Sequence, residues 1–295
     1  MIRRGVDSST ERQRSPWLGR LLFVFVASVG IGLMALAVSS FQASARSSAV
    51  CGDTGLHDGV RVHANLIQVV PDHDNAVVRL TFTPQGSFVA DRYFLSRPLR
   101  VLAVGGSEIL DEKFEAGETM PAEGLDIQLG DGDVGEFPFD EYDAQVQVRV
   151  VSPTGEPVPS VLVGEASVHG YRFTVTSGLA EPNRGNNLNF AVRRAPTTVA
   201  FAIFIDVLMW ALAALALTMA LGEIRSAEEI DGAAITLLGV LLFAFPAVRN
   251  SVPNMPSLGV LSDYLSYFWC EIGLGLGLVS LLIFNIRRQR RARQN

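Results

Sequence analysis

Three ionisable residues lie inside or at the end of long apolar runs near the C-terminal end of the chain: Asp206, Arg249 and Glu271. The runs cover residues 198–221, 233–249 and 264–286. Because about 20 apolar residues are needed to cross a bilayer, each run predicts a transmembrane helix. A charged side chain in such a helix is costly unless it is paired or faces the interior of a helical bundle. These three residues are therefore the first candidates for function.

The three side chains are expected at a similar depth in the membrane. With a rise of about 1.5 Å per residue, Asp206, Arg249 and Glu271 all fall near the helix ends that face residues 43–197. This placement predicts an intramembrane polar cluster. Two roles are open for it: ion pairing that fixes the order of the helices, and a relay that carries protons or cations.

A fourth apolar run, within residues 21–42, follows an arginine-containing segment, residues 1–20. It fits a signal peptide cleaved near Ala43-Ser44-Ala45, or a transmembrane anchor that is retained. The run exceeds the apolar core of about 7–15 residues that is usual in signal peptides, which favours the anchor. Arginine is also frequent in the last segment, residues 287–295. Since cytoplasmic flanks of membrane helices are rich in Lys and Arg, we expect both termini in the cytoplasm and residues 43–197 on the opposite side.

Apolar and polar residues alternate with a period of two through most of the segment from residue 59 to residue 194. Such alternation is typical of antiparallel strands that are buried on one face, and Gly, Pro, Asn and Asp mark turns between them. We expect about six to nine short strands packed as a β-sandwich. The predicted fold is thus membrane α + β: an N-terminal anchor, an extracytoplasmic β-sandwich and a C-terminal bundle of three transmembrane helices.

Charge and motif content exclude several classes of function. Acidic residues outnumber basic ones between residues 51 and 196, and the chain carries a formal net charge of −6. Nucleic acids and anionic lipids require a basic surface, so neither is an expected partner of the β domain. The sequence has no Gly-x-Ser-x-Gly, His-Glu-x-x-His or phosphate-loop motif, and Cys51 and Cys270 form no disulfide or metal motif. We therefore predict no catalytic residue, metal or cofactor.

Acidic residues are densest between residues 131 and 143. Asp131, Asp133 and Glu136 could place carboxylate oxygens in one glycine-containing loop, and Ca²⁺ prefers oxygen ligands. Their spacing departs from that of an EF-hand, and a solvated turn between two strands explains the same residues. The turn is the favoured interpretation, with a cation site as the alternative.

A turn that contains aromatic residues and proline lies inside this acidic segment: Phe137, Pro138, Phe139, Asp140 and Tyr142. Proline fixes its own φ and donates no backbone hydrogen bond, so we expect a rigid turn. The loop before the last apolar run contains Pro253 and Pro256 and is itself apolar. It is either a short interfacial connector or the surface on which the aromatic turn couples the β domain to the helices. The aromatic-Pro-aromatic-Asp order is similar to a turn in the Cys-loop of pentameric ligand-gated channels, where that turn meets the membrane helices.

A second resemblance covers more of the chain. Its elements are Phe-Pro-Phe-Asp-Glu-Tyr at 137–142, Arg-Asn-Ser-Val-Pro-Asn-Met-Pro-Ser-Leu-Gly at 249–259 and Val-Leu-Ser-Asp-Tyr-Leu-Ser-Tyr-Phe-Trp-Cys-Glu at 260–271. They resemble an uncharacterised bacterial family of membrane proteins that is defined as a domain of unknown function. Its members have an anchor, a β-rich external domain and three C-terminal helices. The resemblance implies this architecture and a bacterial plasma-membrane location, and it implies no activity.

The favoured hypothesis is a non-enzymatic envelope protein, whose β domain binds a partner or ligand, or senses one, above a helical platform. The alternative is a small transporter or channel component that uses Asp206 and Glu271. A membrane-bound enzyme is a third class that no motif supports. The expected partners are the lipid bilayer and an envelope protein, and a homo-oligomer is compatible with the sequence.

Overall fold

Strands make up the first part of the described chain and helices the second. A computed structural model describes residues 47–91, 93–106, 108–178, 185–226 and 232–292. The predicted basic segment and anchor, residues 1–42, lie outside this range. The strands within the described residues are β1 (Ser47–Cys51), β2 (Gly59–Val70), β3 (Asn75–Gln85), β4 (Val89–Asp91), β5 (Phe94–Leu95), β6 (Leu99–Gly105), β7 (Glu108–Phe114), β8 (Glu123–Gly130), β9 (Glu141–Val151), β10 (Ser160–Ala166), β11 (Tyr171–Ser177) and β12 (Asn186–Arg194).

Ten of these strands form one sheet. Its order is β1-β10-β2-β3-β8-β9-β12-β11, and β6 lies beside β9 with β7 paired to β6. The β2–β10 pair is parallel, whereas β4 and β5 form a separate antiparallel pair. The β8–β9 pairing contains only two residue pairs, Leu129 with Ala144 and Gly130 with Asp143. This short pairing joins two halves of the sheet, one centred on β2 and the other on β9.

The two halves also meet at the opposite edges of the sheet, where β1 and β11 lie. There the Val175 N–H in β11 donates a hydrogen bond to Ser47 Oγ in β1, at 3.0 Å. The sheet is therefore nearly barrel-like. The expected β-rich domain is confirmed, but the two facing layers belong to one sheet and not to the two separate sheets of a sandwich, because β8 and β9 remain hydrogen-bonded where the halves join.

The predicted period-two alternation corresponds to the buried face of this sheet. Inward-pointing apolar side chains from both halves form one hydrophobic cluster. Each fully buried Val, Leu, Ile or Phe side chain contributes about 1.5–3 kcal/mol relative to an exposed one. The members that follow the predicted alternation include Val60, Val62, Ala64, Leu66, Leu125, Ile127, Val146, Val148, Leu188, Phe190 and Val192.

Three helices follow the sheet in the described part of the chain: α1 (Pro196–Arg225), α2 (Gly232–Arg249) and α3 (Phe268–Ala292). A π-helical turn, Asp263–Tyr267, leads directly into α3. All three helices are long and apolar enough to cross a membrane. The predicted runs 198–221 and 264–286 are shorter than the helices, and α3 continues into the arginine-rich C-terminal segment.

The outward faces of the helices carry large apolar side chains. Phe243 is 82% exposed, Leu276 64% and Val207 61%. A surface of this kind is unfavourable in water and is suited to lipid. Inside the bundle, α1 and α3 approach closely at Gly277, where an added Cβ would lie 2.7 Å from Leu217 Cδ2. The described fold is thus that of a membrane protein with a β domain, residues 47–194, and a helical bundle.

Candidate functional site

The aromatic turn of the β domain packs into the helical bundle. Phe137 is fully buried, and it belongs to the hydrophobic cluster of the helices, together with Ala202, Phe245 and Val260. Its carbonyl oxygen accepts a hydrogen bond of 3.3 Å from the Ser262 N–H, just before α3. The peptide bond between Phe137 and Pro138 is cis. The turn is therefore a direct contact between the β domain and the start of the last helix.

A buried ion pair lies behind this turn. Arg194, the last residue of β12, donates from Nε to both oxygens of Asp140 at 3.0 and 2.9 Å, and its Nη2 lies 2.9 Å from Asp140 Oδ2. The two side chains are 1% and 0% exposed. Tyr142 Oη donates to Asp140 Oδ2 at 2.9 Å. The carboxylate charge is compensated by three polar groups of the protein's own chain, so little of it is available to an external ligand.

The same arginine side chain also binds the connecting loop. We define this loop as residues 250–262, between α2 and the π-helical turn. Arg194 Nη1 donates to the carbonyl oxygen of Asn254 at 3.0 Å. Its guanidinium carbon lies 4.8 Å from the ring centroid of Phe137 and 4.7 Å from that of Tyr171, within the range of a cation–π interaction. Arg194 thus links three segments: the end of β12, the aromatic turn and the connecting loop.

Two further hydrogen bonds fix the connecting loop to the β domain. Asn254 Nδ2 donates to the carbonyl oxygen of His169 at 3.0 Å, and the Ser257 N–H donates to Asp72 Oδ2 at 3.1 Å. The helix side contributes as well, since Thr198 Oγ1 in α1 donates to the carbonyl oxygen beyond β10, at Gly170. Several separate contacts therefore hold the β domain in one orientation on the bundle.

Burial makes the tyrosines of this junction harder to ionise. Burial raises the pKa of Tyr171 to about 12, although the positive charge of Arg194 opposes the rise. Burial also raises the pKa of Tyr142, and the adjacent Asp140 carboxylate adds to that shift. Both effects follow from the cost of placing a phenolate in a buried site or beside a carboxylate. Tyr142 consequently holds the proton that it donates to Asp140 more firmly than an exposed tyrosine does.

A second buried ion pair holds the connecting loop to the helices. Arg249, the last residue of α2, donates from Nε to Asp263 Oδ1 and from Nη2 to Asp263 Oδ2, both at 2.8 Å. Asp263 Oδ2 also accepts hydrogen bonds from the N–H groups of Gly259 and Val260, at 2.8 and 3.3 Å. Arg249 Nη2 further donates to the Ser257 carbonyl oxygen at 3.1 Å. This bidentate pair folds the loop back onto the end of α2.

The three intramembrane residues predicted from the sequence have different partners. Arg249 is paired with Asp263, and neither Asp206 nor Glu271 contributes to that pair. Asp206 accepts hydrogen bonds from two serine hydroxyls, Ser262 Oγ at 3.0 and 2.9 Å and Ser266 Oγ at 2.6 Å. Glu271 Oε1 is buried and has no hydrogen-bond partner among the described residues. Within the described residues, Asp206 and Glu271 are thus the carboxyl groups of this region that form no ion pair.

The predicted cation-binding residues do not converge on one point. Asp133 Oδ1 accepts a hydrogen bond of 2.7 Å from the Gly135 N–H and caps the short helical turn Val134–Glu136. Asp131 adopts a positive φ of 54° at the end of β8. Across the described ranges, no group of three or more His, Cys, Asp or Glu residues is placed to hold a metal ion. The local role of Asp133 as a helix cap explains why the acidic cluster does not form a ligand set.

Two models of domains of unknown function match the chain. Residues 50–193 match the model described as Domain of unknown function (DUF4436), and residues 194–288 match the model described as Domain of unknown function (DUF8686). A comparison with curated proteins gave no match. These findings agree with the predicted likeness to a family of unknown function, and they supply no activity.

The boundary between the two matches falls between Arg193 and Arg194, at the end of β12. Arg194 therefore opens the DUF8686 match although its side chain binds Asp140 in the DUF4436 match. Sequence reasoning missed Arg194 and Asn254, which make polar contacts across the junction, and Asp263, which pairs with Arg249. For Arg194 a signal existed, because it stands two residues after the buried Val192 on the inward face of a strand.

Proposed function

We propose that the chain is a membrane-anchored binding module of the bacterial plasma membrane, with the β domain outside the cytoplasm and the helices as its platform. The arginine-rich segments at 1–20 and 287–295 support this orientation, because such segments remain in the cytoplasm. The module takes part in recognition and performs no chemistry of its own. Its β domain presents a partner-binding surface at a fixed height above the bilayer.

The observation that carries this proposal is the way in which the β domain is attached. A flexible linker would let the domain move freely, which is the usual expectation when few contacts cross a domain boundary. Here the Arg194–Asn254 hydrogen bond, the buried Phe137 and the Asn254–His169 hydrogen bond all cross the boundary. A domain fixed in this manner keeps its surface in one orientation, which reduces the entropic cost of binding a partner that is itself held at the envelope.

Exposed aromatic side chains at the junction also support the platform role. Tyr264, Trp269 and Phe139 are between 54% and 61% exposed. Phe139 lies two residues from Phe137, whose carbonyl oxygen is hydrogen-bonded at the start of the last helix. Aromatic residues at this level of a membrane protein are suited to the interface between lipid and water. They would hold the β domain against the outer surface of the bilayer.

Photo-crosslinking in cells tests the proposal on the full chain. A photoreactive amino acid is introduced at outward-facing positions of both halves of the sheet, among them Thr176 in β11 and Thr81 in β3. We expect adducts with an envelope component from one half, and none from the other, because a partner-binding surface occupies one face. Adducts with a second copy of the chain would identify the partner as a homo-oligomer. Absence of adducts from every outward-facing position would contradict the proposal.

The unpaired carboxyl groups favour a second candidate function, a small transporter or channel component. A buried carboxyl oxygen without a hydrogen bond, as in Glu271, is uncommon and costly in a membrane helix. Asp206 lies in the same bundle with only serine hydroxyls as partners, and the π-helical turn beside it is a feature often found at functional sites. A proton or cation relay would use these two groups.

Ion flux into liposomes separates this candidate from the binding module. If the relay operates, the purified chain carries protons faster than empty liposomes, and Asp206→Asn or Glu271→Gln lowers the flux by about 10²-fold. Glu156→Gln, in an exposed turn of the β domain, is the matched carboxyl-to-amide control and should leave the flux unchanged. A wild-type flux equal to that of empty liposomes would eliminate the transport function.

A further inference from the structure

A groove runs across the outward face of one half of the sheet, over β9, β11 and β12 and the adjoining ends of β6 and β8. Its volume is about 770 Å³, which lies within the range of about 300–1,000 Å³ that is usual for small-molecule sites. The side chains that line it are mostly amides and hydroxyls: Gln128, Gln145, Gln147, Asn189, Thr174 and Thr176. None of the contacts between the β domain and the helices described above uses this face.

The strand register places these polar groups in rows. Thr176 of β11 pairs with Asn189 of β12, which pairs in turn with Gln145 of β9. Each amide has both hydrogen-bond donors and an acceptor, and each hydroxyl can act as either. The row therefore offers alternating donors and acceptors to a ligand that lies across the strands.

The charge and polarity of the groove favour one chemical class of ligand over others. Among the described residues, its lining includes two carboxylates, Asp131 and Asp143, at the β8–β9 corner, and no Lys or Arg. An anionic ligand such as a phosphate or a nucleic acid would find no positive partner there. An apolar ligand would leave the amides without hydrogen bonds, which is costly when they become buried. A neutral ligand with many hydroxyl groups satisfies both conditions, because hydroxyls donate to carboxylates and exchange hydrogen bonds with amides in both directions.

Small residues keep the floor of the groove open. Ala191 of β12 lies between Thr174 of β11 and Asp143 of β9 in the strand register, and Gly130 of β8 pairs with Asp143 on the far side. Ala191 is only partly buried, so its side chain points toward the groove and not into the core. A larger side chain at Ala191 would fill the space beside the row of Thr176, Asn189 and Gln145.

We infer that this groove is a saccharide-binding site for a neutral, polyhydroxylated unit, held by the Gln145, Asn189 and Thr176 row and by the carboxylates at the corner. The inference rests on the proposed function as a binding module and specifies the chemistry of its ligand. The rigid attachment of the β domain would hold the groove at one height above the membrane, facing the glycan material of the envelope.

Calorimetric titration of the full chain in nanodiscs tests the inference. The probes are the neutral trisaccharides triacetylchitotriose, cellotriose and maltotriose, with the anionic sialyllactose for comparison. We expect one neutral trisaccharide to bind and Ala191→Phe to weaken its binding by about tenfold or more, because the ring occupies the floor of the groove. Asn189→Ala and Gln145→Ala should each weaken binding as well, since they remove hydrogen bonds without filling space.

Thr81→Phe is the matched control, because it places the same ring on the outward face of the opposite half of the sheet. It should leave saccharide affinity unchanged, and both phenylalanine variants should unfold at the wild-type temperature. Failure of all three neutral trisaccharides to bind, binding of sialyllactose alone, or equal binding by Ala191→Phe would overturn the inference. A different result would separate this inference from the proposed function: crosslinked adducts at Thr176 that disappear in Ala191→Phe, while no saccharide binds. That result would reject a saccharide as the ligand but would still support the binding module.

Discussion

Replacing Asp140 by alanine is expected to destabilise the β domain by about 3–5 kcal/mol, because the variant leaves the charge of Arg194 buried without a partner. An arginine side chain carries its charge in proteins, and that of Arg194 is 1% exposed. The free energy of unfolding is measured by urea titration of the full chain in detergent. Cys51 is 3% exposed in β1, so its reaction with a thiol reagent reports opening of the β domain when Cys270 is replaced by alanine. With a urea slope of about 2 kcal/mol per M, the midpoint should fall by roughly 1.5–2.5 M.

The neighbouring residues provide a matched control. Arg193 and Glu141 stand one position along the same two strands and form an ion pair of 3.0 Å, but their side chains are 64% and 58% exposed. Glu141→Ala should therefore cost about 0–1 kcal/mol. The double variant Asp140→Ala with Arg194→Met should recover most of the loss, since it removes both buried charges. Equal effects of Asp140→Ala and Glu141→Ala would show that burial does not matter for this pair.

The alternation of apolar residues was enough to predict a β-rich domain and the buried face of the sheet, although the described residues contain twelve strands and not six to nine. Val60, Val62, Leu188 and Phe190 are all buried, as a period of two requires. Alternation reports only which face of a strand is covered. It holds no information on the β8–β9 corner, where two residue pairs join the halves, because those pairs depend on the path of the chain and not on hydropathy.

The same periodicity also contained a signal for the junction that the sequence interpretation did not use. Asp140 shares its parity with the buried Tyr142 and Ala144, and Arg194 shares its parity with the buried Phe190 and Val192. Two inward-facing opposite charges, one just before β9 and one at the end of β12, each require a partner, and here each is the partner of the other. The contact of Arg194 with the Asn254 carbonyl oxygen could not be predicted, because it depends on how the connecting loop folds.

For Arg249 the depth argument did not supply the partner, which is Asp263. Counting residues along helices places Asp206, Arg249 and Glu271 at a similar depth in the predicted bundle. Depth does not specify which sides of the helices pack against each other. Asp263 was assigned to the loop before the last helix and so was not considered. Pro253, Pro256 and the positive φ of Gly259 at 110° bend that loop and return Asp263 to the end of α2.

Replacing Asp263 by alanine is expected to destabilise the helical bundle by about 3–5 kcal/mol, for a reason that parallels the first prediction. Arg249 would keep its charge at a site where it is 5% exposed, and the N–H groups of Gly259 and Val260 would lose their acceptor. Cys270 is 1% exposed at the start of α3 and reports opening of the bundle when Cys51 is replaced by alanine. Its thiol should become reactive at a lower denaturant concentration than in the wild type.

Asn250→Ala is the matched control, because it removes a single hydrogen bond of 3.1 Å from Nη1 of the same guanidinium and leaves the ion pair intact. Its cost should be about 0.5–1.5 kcal/mol. Asp263→Glu keeps the charge and should retain part of the stability that alanine loses. If Asp263→Ala and Asn250→Ala expose Cys270 to the same extent, the bidentate pair does not stabilise the bundle.

The two ion pairs meet in the connecting loop, so their effects should not be independent. Arg249 and Asp263 hold one part of the loop, and Arg194 binds Asn254 in another. Asp263→Ala should therefore also increase the reactivity of Cys51 in the β domain, and Asp140→Ala that of Cys270 in the bundle. Residues that share such a network usually show a coupling free energy of about 0.5–3 kcal/mol in a double-mutant cycle. If the free-energy changes of Asp140→Ala and Asp263→Ala are strictly additive at both cysteines, the loop does not transmit stability between the sheet and the helices. That result would remove the main support for a rigidly held binding domain.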